Sequence, residues 1–295
     1  MTDHADHADR TATASAPQRT VVRLTIDRPP ATTASRFLAE HAGLPHARVK
    51  DAMAKGATWL RRGRHEDRLR RATAALRRGD VLALYYDAAL LALEPPLAEL
   101  VDDRGGYSVW NKPPGMLSQG TRFGDHCALL RQVERAVAPS RPALLVHRLD
   151  REARGLVLIA HERSTAAALG QMLREHTIEK RYRVRVRGAP LPPGLRGLID
   201  APLDGKPAIS AYAVLTHDAA RDISDLEVRT TTGRRHQIRR HLADIGHPIL
   251  GDPRYGTDNH DPAGLALAAV GLRFRCPLTG DTRDYAITPE RPPTS

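Results

Sequence analysis

Residues 143–162 read ALLVHRLDREARGLVLIAHE, and they set Asp150 among Arg148, Arg151 and Arg154, between two runs of apolar residues. The second run, GLVLIAH at 155–161, has the length and continuity of a buried strand. Cations close by favour the charged form of a carboxylate. Asp150 is therefore either an anchor in an ion-pair network or a poised reactive group, and these residues alone leave both open.

The surrounding pattern fixes the fold class. RSTAAALGQMLREHTI (163–178) has the spacing of an amphipathic helix, and KRYRVRVRG (180–188) alternates with period two, setting Tyr182, Val184 and Val186 on one face. SAYAVLTH (210–217) and DISDLEVRTTTG (222–233) read as two further strands, and RRHQIRRHLADIG (234–246) as a helix closed by Gly246. GYSVWNKPPG (106–115) opens this unit. Strands outnumber helices and follow one another in hairpin-like succession, which predicts an α+β domain at 105–290 with a mixed, largely antiparallel central sheet flanked by helices.

Upstream, VVRLTID (21–27) reads as a strand. TTASRFLAEHAGL (32–44) reads as a helix opened by Thr33 or Ser35 and closed by Gly43, and PHARVKDAMAKG (45–56) as a second helix. ATWLRRG (57–63) and ALRRGDVLALYYD (75–87) follow as short strands. Arg48, Lys50, Lys55, Arg61, Arg62 and Arg64 make this small unit, 19–88, a candidate basic docking surface. Residues 89–104, with Pro95 and Pro96 in succession, read as a linker. Residues 1–18 read as a disordered tail whose DHADHAD repeat is at most a weak metal binder.

The formal net charge of +11 and a pI near 10.2 point to a polyanionic partner, nucleic acid before others. Only five of the 45 basic residues are lysine, so the surface carries mostly planar guanidinium forks suited to phosphate. An aromatic content of 4% excludes a protein that grips single strands with many stacked rings. Cys127 and Cys276 are far apart and form no CxxC, which argues against a zinc ribbon or a redox pair. No run approaches a membrane span and the start carries no apolar signal core, so the expectation is a cytoplasmic protein, monomeric by default.

Three segments carry candidate chemistry: HRLD (147–150), NKPPGMLSQG (111–120) with its rigid proline loop, and TTTGRRHQIRRH (230–241). The last offers helix-start amides and cations as a phosphate seat. His236, His241 and His247 lack an acid or cysteine at ligand spacing and do not form a metal set.

Taken together, NKPPGMLSQG, LLVHRLDREARGLVLIAH (144–161), EKRYRVRV (179–186), PLDGKPAISAYAVL (202–215) and TTTGRRHQIRRHLADIGHPILGDPRYG (230–256) resemble the RluA-type family of RNA pseudouridine synthases. SRFLAEHAGLPHARVKDAMAKGATWL (35–60) followed by LRRGDVLAL (76–84) resembles the small RNA-binding module of the ribosomal S-four type. The first resemblance implies isomerisation of uridine in ribosomal or transfer RNA, with no cofactor and no metal. It implies that Asp150 is the catalytic aspartate, that Tyr182 packs on the uracil ring, and that Arg239 pairs with the catalytic carboxylate. Arg148 would enter the RNA where the base flips out, and Lys112, His147, Arg234, His236 and Gln237 complete the expected substrate and RNA contacts.

The chain departs from the family at Ala153 and Arg154, where a Thr-Ser pair is usual, and at Ala268 and Cys276, where histidines are usual. Loss of the two hydroxyls is expected to loosen the Asp150 loop by about 1 kcal/mol per missing hydrogen bond, with Arg154 turned toward phosphate instead. The rival readings are a non-catalytic RNA binder on the same fold and a nuclease. A nuclease needs clustered acids for divalent ions, and Asp150 and Glu152 fall on opposite sides of an extended chain.

Overall fold

A computed structural model describes residues 19–137, 141–256, 259 and 261–288. The 1–18 tail and its histidine repeat lie outside these residues. The chain divides into two compact units, one running to Glu94 and including Thr121–Asp125, the other comprising Pro95–Gly120 and the chain from His126.

The first unit runs β1 (Arg19–Thr25), α1 (Ala34–Ala42), α2 (His46–Ala54), β2 (Thr58–Arg62), β3 (His65–Arg68), β4 (Val81–Asp87) and α3 (Ala88–Leu91). Its sheet is antiparallel in the order β1-β4-β2-β3. α1 starts after Thr33 and stops where Gly43 turns left-handed at φ 62°, freeing its amide to bond the Ala39 carbonyl. Leu38, Val49, Ala52, Met53, Leu82 and Leu84 form the core between helices and sheet. Arg48, Lys50, Arg61 and Arg64 are exposed, whereas Arg62 is committed to Asp80 at 2.7 Å.

The second unit runs β5 (Glu99–Asp103), β6 (Tyr107–Lys112), α4 (Leu129–Val137), β7 (Leu144–Leu145), β8 (Arg154–Ala160), α5 (Arg163–Arg174), β9 (Glu179–Arg187), β10 (Arg196–Asp200), β11 (Ile209–Asp218), β12 (Ile223–Thr230), α6 (Gln237–Asp244), β13 (Leu267–Arg275) and β14 (Thr282–Ala286). One large sheet follows the order β10-β11-β12-β9-β13-β8-β6-β5, with β14 beside β13 and β7 beside β8. All neighbours are antiparallel except β8 and β13, so the sheet is mixed and the α+β expectation holds. Residues 89–104 are not a plain linker. α3 caps one unit, and β5 is an edge strand of the other, its ELVDD too polar to read as a strand from sequence.

Two features of this sheet position the site. Along β9, Val184 and Val186 are buried and Tyr182 packs beside them, while Arg181, Arg183 and Arg185 on the opposite face meet Asp284, Glu227 and Asp225. β8 meets β13 at Gly155, whose φ is +117° and whose missing Cβ leaves room for the Ala269 backbone. Only glycine fits there, and this close crossing delivers the preceding loop, which carries Asp150, to the face carrying Tyr182.

Candidate active site

The Asp150 loop is tied down through its backbone. The Ser118 hydroxyl donates to the Leu149 carbonyl at 2.8 Å and accepts from the Leu149 amide at 2.9 Å. The Arg151 carbonyl accepts from the Gly115 amide at 2.8 Å and from the Lys112 ammonium at 3.3 Å. The anticipated weakness from Ala153 and Arg154 is thus countered by NKPPGMLSQG, which grips the loop from the other side. Ala153 is itself buried in the core beside Val184 and Leu226.

Helix α6 carries Arg239 into the interior, where it is fully buried, and turns Arg240 outward to Asp204. The Arg239 Nε and one terminal nitrogen donate to the two Asp252 oxygens at 2.8 and 2.7 Å, a bidentate clamp with both side chains out of solvent. The other terminal nitrogen reaches Asp150 at 3.1 Å and Glu152 at 3.5 Å. Burial opposes the Arg239 charge, but hydrogen bonds and charges from Asp252 and Asp150 outweigh it and the net shift is upward. Asp150 and Glu152 therefore converge on one guanidinium, contrary to the opposite-sides expectation, because the chain bends at residues 151–152 instead of running extended.

A cavity of about 330 Å³ opens over this pair, lined by Arg148, Asp150, Tyr182, Arg235, His236 and Arg239 among others. Its size falls in the range of small-ligand sites, roughly 300–1,000 Å³. Asp150 keeps 17% of its side chain exposed, toward a wall that includes Tyr182. Burial pushes the Tyr182 phenol up to about 12, so the ring is neutral. His236 sits in the left-handed region (φ 52°), with Nδ1 3.0 Å from the Tyr255 hydroxyl and Nε2 3.7 Å from Asp150.

Not every expected contact residue faces the cavity. Lys112 is fully buried and donates to the carbonyls of Pro113, Met116 and Arg151, so it braces two loops and has no surface for RNA. Burial presses its ammonium down to about 7, partly opposed by Asp150 and Glu152. Gln237 uses its oxygen on the Thr232 hydroxyl and the Arg234 amide and its nitrogen on Ile209 and Ser210. It is a structural brace, and because it caps the Arg234 amide, the expected phosphate seat loses that donor. Arg234 lines the cavity while bonding the Pro207 carbonyl, and Arg148 is exposed at its rim.

His147 is also diverted: its Nε2 accepts the Leu158 amide of β8 at 3.1 Å. That bond requires the neutral ring, and burial, aided by Lys180, lowers its pKa from 6.5 to about 4. Between about 4 and 6.5 the unfolded chain binds a proton that the native chain does not, so stability rises with pH across this window. The full gain is about 3 kcal/mol, since each tenfold change in proton affinity corresponds to about 1.4 kcal/mol. Urea unfolding at pH 4.5 and 7 is expected to show this rise in the parent and a smaller one in His147→Gln; equal rises would mean that His147 is not its source.

Sequence reasoning missed Asp252, Ser118 and Tyr255, and it named Glu152 but placed it away from Asp150. The signal for Asp252 was a conspicuous acid in GDPRYG, but nothing in a linear string says that a residue thirteen places after Arg239 returns to clamp it.

A model of the RNA pseudouridylate synthase family matches residues 106–244. The dual-specificity RNA pseudouridine synthase RluA of Escherichia coli K12 is 33% identical over 210 residues, which cover 65% of this chain and 93% of the relative. The ribosomal large subunit pseudouridine synthase D of Zymomonas mobilis is 34% identical over 171 residues, covering 50% of this chain and 52% of that protein, about half its length. Among solved structures, human RNA pseudouridylate synthase domain containing 1 superposes with a TM-score of 0.55 at 23% identity, over 66% of this chain and 86% of that one, a likeness of fold. The class these matches define is the RNA pseudouridine synthase. Within it, the chain belongs to the RluA-type family.

Proposed function

We propose that this protein converts particular uridines to pseudouridine in folded ribosomal or transfer RNA, with Asp150 as the catalytic residue. The observation that carries this reading is a partly exposed carboxylate in a cavity, tethered to a buried guanidinium that is itself neutralised by a second acid. The reaction breaks the bond from sugar to N1, turns the uracil and rejoins it through C5, so it calls for an anion at the sugar and walls that retain the loose base. Asp150 supplies the anion, by addition or by removing a sugar proton. Tyr182 supplies a flat neutral wall, and Arg239 holds the carboxylate in place.

The target must leave its stack to reach this cavity, at a cost of a few kcal/mol that is least for an unpaired base, which favours loop and bulge uridines. Arg148 at the rim and the exposed cations of the first unit, Arg48, Lys50, Arg61 and Arg64, supply phosphate contacts. No helix among the described residues is long and apolar enough to cross a membrane. The +11 charge supports RNA as the partner, and this reading takes the protein to work on it as a cytoplasmic monomer.

The test is incubation of the purified protein with unmodified ribosomal and transfer RNA transcripts, followed by mapping of pseudouridine at single-nucleotide resolution. Product at one or a few loop uridines is expected. RNA that binds and is never modified would leave a binder, and the reading would fail.

A further inference from the structure

Uridine and pseudouridine are isomers, but the change moves a proton. The C1′–N1 bond breaks and C1′–C5 forms; C5 must then lose its hydrogen while N1 gains one. Whatever Asp150 does at the sugar, a base must take the C5 proton. The cavity wall offers few. Arg148, Arg234, Arg235 and Arg239 are permanently protonated. Tyr182 is a neutral phenol, and Thr230, Thr232 and Gln237 are not bases at neutral pH. Only Asp150 and His236 remain among the lining residues.

His236 is held in a way that suits the task. It interrupts the approach to α6 with a left-handed backbone at φ 52° and ψ 30°, a conformation a residue with a side chain adopts only when its surroundings enforce it. That geometry turns its ring toward Tyr255, whose hydroxyl lies 3.0 Å from Nδ1, and brings Nε2 to 3.7 Å from an Asp150 oxygen. The side chain is 10% exposed, within the cavity.

We propose that His236 is a second catalytic residue, the base that removes the C5 proton after the new carbon–carbon bond has formed. The assignment rests on the pseudouridine synthase reading above. In this role the ring is the Nδ1–H tautomer, with Nδ1–H donating to the Tyr255 oxygen and the Nε2 lone pair left free on the side of Asp150. Nε2 takes the proton, and the C5–H electron pair restores the C5=C6 double bond. The imidazolium formed lies beside Asp150 and returns its proton to solvent as product leaves. N1, which departed with the glycosidic electron pair, takes a proton from solvent, so atoms and electrons balance without oxidant or co-reactant. The charged groups acting on the ring are Asp150, Arg235, Arg239 and Arg254. Burial and the three arginines favour the neutral ring and Asp150 opposes them, with a net downward shift that leaves the imidazole unprotonated, its lone pair free, at neutral pH.

The test uses single-turnover reactions on an RNA transcript that the parent protein modifies, made with ordinary uridine or with 5-deuterouridine. His236→Gln retains a polar group for Tyr255, and His236→Ala leaves space for added imidazole. His236→Gln is expected to slow pseudouridine formation about 100-fold or more, the lower range for a positioned proton-transfer group. It should also show a primary deuterium effect at C5 larger than the parent's, with RNA affinity unchanged. Imidazole should partly restore His236→Ala. A His236→Gln rate close to the parent's overturns the assignment. So does a slow variant with no enlarged isotope effect and no response of His236→Ala to imidazole, the mark of a merely structural role. Parent protein that forms no pseudouridine would instead sink the functional reading itself, so the two failures are told apart.

Discussion

Asp150→Asn is expected to lower pseudouridine formation by at least about 10,000-fold, the upper end of what one positioned proton-transfer group supplies, while RNA affinity and melting temperature stay near the parent's. The fold survives because Asp150 is not the main partner of Arg239: the bidentate clamp from Asp252 remains, and Glu152 still faces the third nitrogen. Affinity should survive because, on the reading proposed above, binding draws on exposed cations, Arg148 at the rim and the basic residues of the first unit. The asparagine amide keeps the volume and loses the negative charge, so the comparison isolates the anion. Single-turnover assays with filter binding on the same RNA read both quantities. A variant with parental turnover would strip Asp150 of its role, and one that also lost RNA binding would mean the carboxylate shapes the surface more than it reacts.

The period-two alternation of KRYRVRVRG and the apolar run GLVLIAH located β9 and β8, and with them Tyr182 and the approach to Asp150, because each strand has a face or pair of faces that must be dry. Helices α1 and α5 were legible for the same reason, through apolar spacing, with Gly43 marking where α1 ends. Helix α4 was legible but unread: Leu129, Val133 and Val137 recur every fourth residue and all are buried. β3 and β5, HEDR and ELVDD, offer no such pattern, since charged residues fill both faces and only pairing with a neighbour makes them strands.

The site was legible in part, and the division follows sequence distance. HRLD and HQIRRH supplied Asp150, His236 and Arg239, and the fold brings both of the latter within 4 Å of the carboxylate. Which polar residues turn inward as braces was not legible. Lys112 and Gln237 are as polar as Arg148, and a string cannot show that one ammonium meets three carbonyls or that one amide closes a helix start. The bend after Asp150 decided whether Glu152 joins the cluster, and bends of this kind depend on what grips the backbone, here Ser118, Gly115 and Lys112.

Arg239→Ala should damage folding more than any other single change at the site. Its guanidinium is wholly buried and carries the compensating charge for Asp252, whose side chain is equally buried, and for Asp150. Removing one member of a buried pair leaves the other as an uncompensated charge, at a cost of roughly 3–5 kcal/mol, a large fraction of the total stability of about 5–15 kcal/mol typical of natural proteins. Asp252 also accepts the amides of Arg254 and Tyr255, so its displacement would loosen the turn that holds the His236 ring. The expected result is a steep loss of urea midpoint together with loss of turnover. Arg239→Ala combined with Asp252→Ala separates the two effects: with the stranded acid gone, much of the stability should return, whereas turnover should not, because Asp150 still lacks its tether. If the double variant were no more stable than the single one, the buried ion pair would not be what holds this corner of the domain together. If the single variant melted and turned over like the parent, neither the fold nor the reaction would depend on the Arg239 charge.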